Sequence, residues 1–200
     1  SHAILALLKA GKRVAVTSHS HKAIDNLLLA IADRAQESRF KLKAIKKTDD
    51  GDELEEVGIA VTSKPDDVRL TTAPLVGGTA WLFSREEHDQ AFDYLIVDEA
   101  GQFSLANLVA AGACAKNLVL VGDPMQLAQP VQGVHPGQSG ASSLGHVLGE
   151  TATVKPERGI FLPVSLRMHP AICRYISDVV YDGRLSSHPD AARQMLAFGK

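Results

Sequence analysis

Apolar residues recur along this chain at two spacings, and the alternation of those spacings predicts the fold. Helical spacing predicts helices over 3–10, 21–35, 104–112, 141–149 and 170–181. Short β-branched or continuously apolar runs predict strands over 13–17, 75–83, 92–97, 117–121 and 160–166. The runs at 92–97 and 117–121 are typical of central strands that are covered on both faces. This order predicts an α/β domain with a doubly wound parallel sheet.

Two of the predicted helices carry an apolar stripe, and we expect the stripe of the helix at 21–35 to face a core. The stripes are Ile24, Leu27, Leu28 and Ile31 in one helix, and Ile172, Ile176, Val179 and Val180 in the other. The alternation over 39–47 predicts an exposed strand, and the acidic run over 48–56 predicts a loop. The segment 130–140 is rich in Gly, Pro and Gln, so it is also predicted to be a loop.

Composition narrows the classes of function. The 200 residues include 21 Lys and Arg against 23 Asp and Glu, so any contact with nucleic acid must be local and cannot rest on bulk charge. Only two cysteines occur, Cys114 and Cys173, which excludes a disulfide framework and favours a reducing cytoplasm. Because no apolar run approaches the ~18 residues needed to cross a bilayer, no membrane contact is expected.

The sharpest chemical signal is the pair Asp98 and Glu99, directly after the apolar run 92–97. The carboxyl ends of parallel strands are where α/β proteins bind ligands. In nucleotide hydrolases one such carboxylate holds Mg²⁺ and the other accepts a proton from the attacking water. Taken alone, the pair could equally begin a helix, where acidic groups favour the N-terminal dipole.

Two later segments favour the catalytic interpretation. Gly122-Asp123-Pro124 follows the run 117–121, and Gln126 stands behind it, where an amide can orient water or contact a γ-phosphate. Arg167 follows the run 160–166 and can reach a phosphate. Singly, the first segment would be an ordinary turn and the second a surface arginine.

In combination these segments resemble a known family. DEAGQ at 98–102, GDPMQL at 122–127 and RMHP at 167–170 resemble motifs II, III and IV of superfamily-one helicases, while 16–28 and 77–83 resemble motifs Ia and Ic. The likeness is to the branch of the nonsense-mediated-decay helicase, and especially to bacterial proteins that join such a helicase to a RecB-like nuclease. It implies a P-loop NTPase (RecA-like) fold, a bacterial cytoplasmic location and a nuclease domain in the same parent protein.

The resemblance also implies roles for the matched residues. Asp98 would bind Mg²⁺, Glu99 would be the general base, and Arg167 would be an arginine finger. Gln126 would contact the γ-phosphate of ATP, with Gly122 and Asp123 beside it. Contacts to single-stranded DNA or RNA would come from Ser18, His19, Ser20, Gly78 and Thr79.

The implied function is that of an ATP-dependent helicase or translocase that moves 5′ to 3′. Two alternatives stay open: a switch that hydrolyses ATP without unwinding, and a nucleic-acid-binding module without activity. The chain contains no G-x-x-x-x-G-K-[ST] phosphate loop, although 3–10 matches the helix that would follow one. We therefore expect a first RecA-like domain over 1–158, truncated at its phosphate loop, the start of a second over 159–200, and little ATPase activity from this chain alone.

Several other residues are given structural interpretations. His19 and His21 have a chelating spacing, but no further ligands for zinc stand near them in the sequence. Trp81 is predicted to be a core residue and not a base-stacking platform. His169 is predicted to begin a helix, and neither cysteine has the partners of a thiol nucleophile.

Overall fold

The computed structural model describes residues 1–49, 52–127, 133, 135–149 and 151–195. The chain divides into two compact units, Ser1–Val147 and Leu148–Lys200. This division falls earlier in the chain than the boundary predicted at residue 158. The assignment of the two parts to two motor domains stays a prediction.

The first unit is built on a parallel sheet that has six strands within the described residues, in the order β3-β2-β4-β1-β5-β6. The strands are β1 (Val14–Thr17), β2 (Ala44–Lys47), β3 (Ala60–Thr62), β4 (Leu75–Gly77), β5 (Phe92–Val97) and β6 (Ala115–Leu120). The helices are α1 (His2–Lys9), α2 (His21–Glu37), α3 (Asp52–Glu56), α4 (Pro65–Leu70), α5 (Ala80–Phe83), α6 (Leu105–Gly112) and α7 (Ser143–Leu148), with a short 3-10 helix at Glu86–His88. The α/β class and the parallel sheet are thus confirmed.

The core of this unit lies around β1, which is central in the sheet and wholly buried. Helix α2 begins where the Ser20 hydroxyl accepts a hydrogen bond from the Ala23 N–H at 3.2 Å. Its predicted stripe faces the core, because Ile24, Leu28 and Ile31 are buried against the strands. Burial of such side chains contributes about 1.5–3 kcal/mol each, so this stripe fixes α2 on the sheet.

Three predictions around β2 and β4 are wrong. Strand β2 is buried and not exposed, and even Lys46 is fully covered, with its ammonium paired to Asp25 of α2. The alternation of polar and apolar residues predicted exposure because it treated Lys46 as a surface residue. A charged side chain can be buried when it is paired, as Lys46 is with Asp25. The acidic run forms helix α3 in part, with 50–51 outside the described residues. The strand predicted over 75–83 ends at Gly77 and gives way to α5.

Strand β6 corrects another prediction. It lies at the edge of the sheet, pairs only with β5 among the described residues, and leaves most of its side chains exposed. Leu118, Val119 and Val121 are among the exposed apolar residues. The apolar pattern alone cannot reveal which element, if any, covers a strand.

The second unit contains β7 (Val164–Ser165), α8 (Pro170–Val180), β8 (Ser186–Ser187) and a 3-10 helix at Pro189–Arg193. Only a short piece of the strand predicted over 160–166 forms. The stripe predicted for α8 does not face a core: Ile172 and Val179 are exposed, whereas Cys173 and Ser177 are buried. The predicted loop 130–140 falls partly outside the described residues, and its described part contains only turns and bends.

Candidate functional site

The carboxyl ends of β5 and β6 lie side by side and carry the two motifs predicted to bind nucleotide. Past the last strand pairs, the Val121 N–H donates to the Val97 carbonyl and the Ala100 N–H donates to the Val121 carbonyl, both at 2.9 Å. Main-chain hydrogen bonds therefore join the Asp98–Glu99 turn directly to the Gly122–Asp123 turn.

Two glycines allow this close approach. A Cβ at Gly101 would lie 2.3 Å from the Asp123 carbonyl oxygen, and a Cβ at Gly122 would lie 2.8 Å from the Ala100 nitrogen. No side chain fits at either position unless the backbone moves. Gly101 and Gly122 thus keep the two turns in backbone contact.

Glu99 adopts an unusual backbone conformation. Its φ is +53°, in the left-handed region that glutamate rarely occupies. The turn is closed by the Gln102 N–H, which donates to the Glu99 carbonyl at 2.8 Å. Backbone strain of this kind clusters at functional sites, because the surrounding structure must enforce it. The side chains of Asp98 and Glu99 are half-buried, so solvent reaches both carboxylates.

The end of β1 supports the Asp98 backbone. The Asp98 N–H donates to the Thr17 carbonyl at 2.9 Å, and the Ser18 hydroxyl donates to the Asp98 carbonyl at 3.0 Å. Ser18 is only 2% exposed, so its side chain serves the fold at this point. The Thr17 hydroxyl is buried here without a hydrogen-bond partner among the described residues.

Ser143 is a further contributor, and sequence reasoning missed it. This buried residue at the start of α7 donates its hydroxyl to the Ala100 carbonyl at 3.0 Å, and its N–H donates to the Phe103 carbonyl at 2.7 Å. The Leu144 N–H also donates to the Ala100 carbonyl, at 3.3 Å. These bonds hold the turn that follows Glu99. No sequence signal marks the residue, since a serine at a helix start is common.

The predicted γ-phosphate contact, Gln126, lies in an exposed turn. The Asp123 carboxylate accepts a hydrogen bond from the Met125 N–H at 3.0 Å, and its other oxygen lies 3.5 Å from Gln126 Nε2. Asp123 therefore orders the turn and the amide together. Arg167 belongs to the second unit, where it lies between β7 and α8 with its side chain exposed.

The residues predicted to contact nucleic acid lie at the same edge of the sheet. Strands β1 and β4 are parallel neighbours, and the Gly78 N–H donates to the Val16 carbonyl at 3.1 Å. His19 is exposed, and Ser20 caps α2. Gly78 is buried with its backbone against Leu82, because a Cβ there would lie 2.4 Å from that side chain. Thr79 precedes α5.

Other sequence interpretations have mixed outcomes. Trp81 is 82% exposed, so its assignment to the core is wrong. His169 does begin α8, with Nδ1 accepting from the Ala171 N–H at 3.2 Å. Burial raises the pKa of the Cys114 thiol to about 12, so this thiol stays protonated in the folded chain at neutral pH.

The described residues contain no group of three or more His, Cys, Asp or Glu side chains able to hold a metal. Mg²⁺ does not require such a group, because it takes one or two protein carboxylates and completes its shell with phosphate oxygens and water. Asp98 at the sheet edge fits that pattern. In the described part of the chain, no helix has the length and apolar character needed to cross a membrane.

Comparison with known proteins places these features in a family. The family model described as an AAA domain matches residues 49–131. The chain is 30% identical over 208 residues to the DNA replication ATP-dependent helicase/nuclease DNA2 of Gallus gallus, which covers 92% of this chain and 19% of that protein. It is 28% identical over 202 residues to the DNA-binding protein SMUBP-2 of Mesocricetus auratus, with 98% and 20% covered.

A third relative is the DNA polymerase alpha-associated DNA helicase A of Schizosaccharomyces pombe. It is 28% identical over 166 residues, covering 78% of this chain and 24% of that protein. This chain thus spans about a fifth of the length of the curated relatives it matches.

Proposed function

Because this chain belongs to the superfamily-one helicases, in the branch of DNA2 and SMUBP-2, we propose that it forms the carboxylate-bearing part of an ATP-driven nucleic-acid motor. The supporting observation is the backbone junction between the Asp98–Glu99 turn and the Gly122–Asp123 turn at the carboxyl edge of the sheet. This edge is the ligand-binding edge of parallel α/β sheets. The activity proposed is ATP hydrolysis coupled to movement along a single strand.

In this proposal the two neighbouring carboxylates have different tasks. Glu99 accepts a proton from the water that attacks the γ-phosphate, and its left-handed backbone is enforced by hydrogen bonds on both sides. Asp98 binds Mg²⁺, and its main chain is fixed by Thr17 and Ser18. Mg²⁺, when bound, neutralises charge on the phosphate oxygens.

Gln126 and Arg167 are the remaining residues to which we assign a role in hydrolysis. Gln126 contacts the γ-phosphate and lies in the turn that the Asp123 carboxylate orders. A displacement of Gln126 at the phosphate is therefore transmitted to the backbone contact between Asp123 and Gly101. Arg167 is assigned the role of an arginine finger, and its exposed side chain leaves the guanidinium open for a phosphate.

The nucleic-acid contacts proposed are His19, Ser20, Gly78 and Thr79. Small polar groups and backbone amides suit a site that holds a sugar–phosphate chain without reading its sequence. Ser18 supports these contacts from behind, because its buried hydroxyl is bonded to Asp98. The relatives named for DNA favour single-stranded DNA over RNA. Movement from 5′ to 3′ is proposed from the family resemblance, and an attached nuclease from the name of the DNA2 relative.

A phosphate loop must complement these residues, since none occurs in the 200-residue sequence. We propose that it is carried by an additional strand that pairs with the exposed side of β6. That strand would cover Leu118, Val119 and Val121, which are apolar and exposed. The 200-residue chain alone should then hydrolyse ATP slowly or not at all.

The test is ATP turnover by a longer protein that contains this chain and a phosphate loop, with and without single-stranded DNA. We expect turnover to rise with DNA and to fall at least a hundredfold in Glu99→Gln, in line with the contribution of a general base. Glu55→Gln removes an exposed carboxylate on α3 and should leave turnover unchanged. Turnover without strand displacement would favour the switch, and no turnover with DNA or RNA would favour a binding module.

A further inference from the structure

Trp81 is the only tryptophan in the sequence, and its side chain is 82% exposed. The other three residues of α5, Ala80, Leu82 and Phe83, are buried. No described residue covers this indole, so its π-face is open to a ligand. A single exposed apolar side chain is common on protein surfaces, so the case for a ligand rests on where the indole lies and what surrounds it.

The helix beneath Trp81 is firmly anchored. Leu82 packs on the backbone of Gly78, and the ring of Phe83 meets that of Phe92 edge to face, with centroids 5.7 Å apart and planes at 89°. The Ser84 N–H donates to the Ala80 carbonyl at 2.9 Å and closes the helix. Phe92 is the first residue of β5, the strand whose opposite end precedes Asp98. The indole thus stands on a helix that packs on the same sheet that carries the carboxylates.

The size of the exposed patch fits a nucleobase better than a protein. Within the described residues of α5 and α6, which pack together, the one other large exposed apolar side chain is Val109. A stable protein interface buries about 800 Å² on each partner, far more than one indole and one valine offer. One planar ring is instead the platform on which a single base stacks.

The location also favours a nucleic-acid strand. Trp81 follows Thr79 by two residues, at the sheet edge where β1 and β4 end side by side. The neighbouring turn presents the exposed His19 and the positive N-terminal end of α2. The carboxylate nearest in sequence to that helix end, Asp25, is paired with the buried ammonium of Lys46. The charge of Asp25 is therefore balanced within the fold.

We propose that Trp81 is a stacking platform for one base of single-stranded DNA, beside the phosphate contacts of Thr79 and His19. This inference rests on the proposed function and adds a base contact to it. Every base offers a π-face, so the contact does not select sequence. It holds a base where the strand passes the turn after β4.

The single tryptophan makes the proposal directly measurable in this chain. Titration with an oligothymidine should quench the fluorescence of Trp81 and reduce its quenching by acrylamide. An abasic oligonucleotide of equal length should bind more weakly and leave the fluorescence nearly unchanged. In anisotropy titrations with a labelled oligonucleotide, Trp81→Ala should weaken binding about tenfold, and Trp81→Phe should restore part of the loss. Val109→Ala is the matched control and should bind like the wild type.

The possible failures are distinguishable. If DNA binds without quenching and with equal affinity for Trp81→Ala, the stacking proposal is overturned while nucleic-acid binding stands. If neither DNA nor RNA binds, the nucleic-acid part of the proposed function fails as well. Quenching by RNA and not by DNA would overturn the assignment to single-stranded DNA and identify the bound strand as RNA. A fluorescence change that depends on protein concentration without any oligonucleotide would identify a second copy of the chain as the occupant and overturn the proposal.

Discussion

Replacement of Glu99 by glycine should stabilise the fold while it removes the proposed catalytic base. The reason is the φ of +53° at this residue. A left-handed conformation costs an L-residue other than glycine about 1–2 kcal/mol. Glycine escapes that cost but loses about 0.5–1 kcal/mol through its greater freedom in the unfolded chain. The difference predicts a net gain of about 0.5–1 kcal/mol in the free energy of unfolding.

For a chain of this size such a gain raises the melting temperature by roughly 1–4 °C. Thermal and urea unfolding followed by circular dichroism would measure it. Arg39→Gly is the backbone control, because exposed Arg39 has a φ of +52° after α2 and should gain a similar amount. Glu99→Gln is the charge control, since it removes the repulsion from Asp98 and keeps the strained backbone. It should therefore gain less than Glu99→Gly.

One outcome would refute this reasoning. If Arg39→Gly stabilises the chain and Glu99→Gly destabilises it, the Glu99 side chain makes a stabilising contact that outweighs the backbone strain. Equal gains from Glu99→Gln and Glu99→Gly would assign the effect to charge. The expected result instead identifies Glu99 as a residue whose backbone strain lowers stability while it sets the position of the carboxylate.

Three further predictions concern the framework of the site. Gly101→Ala should lower the free energy of unfolding by about 1–3 kcal/mol in urea titrations, because its Cβ would lie 2.3 Å from the Asp123 carbonyl oxygen. Gly133→Ala, with no described atom within 4 Å of the added Cβ, should be neutral or slightly stabilising, and equal losses from the two variants would contradict the backbone contact. Burial lowers the pKa of His88, so the unfolded chain takes up the proton first and stability should fall as the pH drops below about 6.5. His88→Leu should flatten that part of the stability–pH profile, and an unchanged profile would exclude His88 as its source. Because burial raises the pKa of Cys114 to about 12, its thiol should react with Ellman's reagent at pH 8 only after unfolding, and rapid reaction of the native chain would contradict that burial.

The parts of the fold that the sequence predicts well are those in which one residue pattern has one physical cause. Ile24, Leu28 and Ile31 recur at helical spacing because a single face of α2 is buried. The run over 92–97 is largely apolar because most side chains of β5 are buried in the core. The local residue pattern does not predict burial when the cause of that burial lies in another element. Lys46 is a charged residue inside the sheet because Asp25 of another element neutralises it.

The sequence predicts the candidate site only in part, for a related reason. Asp98 and Glu99 are adjacent in the sequence and follow an apolar run, so the pattern itself carries the signal. Ser143 acts on the same turn from 43 residues away along the chain, through a hydrogen bond that no local pattern encodes. The positive φ of Glu99 is likewise invisible, because glutamate is not a residue that favours it.

The strain at Glu99 and the glycines of the two turns have a common explanation. The left-handed turn at Glu99 directs the chain towards β6, where Gly101 meets the Asp123 carbonyl and Gly122 meets Ala100. Two backbones in contact cannot move independently, since no flexible side chain lies between them to absorb a displacement. A shift in the turn that carries Asp123 and Gln126 must therefore displace the backbone of Glu99. We expect the proposed γ-phosphate contact and the proposed general base to respond as one unit, as coupling of hydrolysis to the state of a bound nucleotide would require.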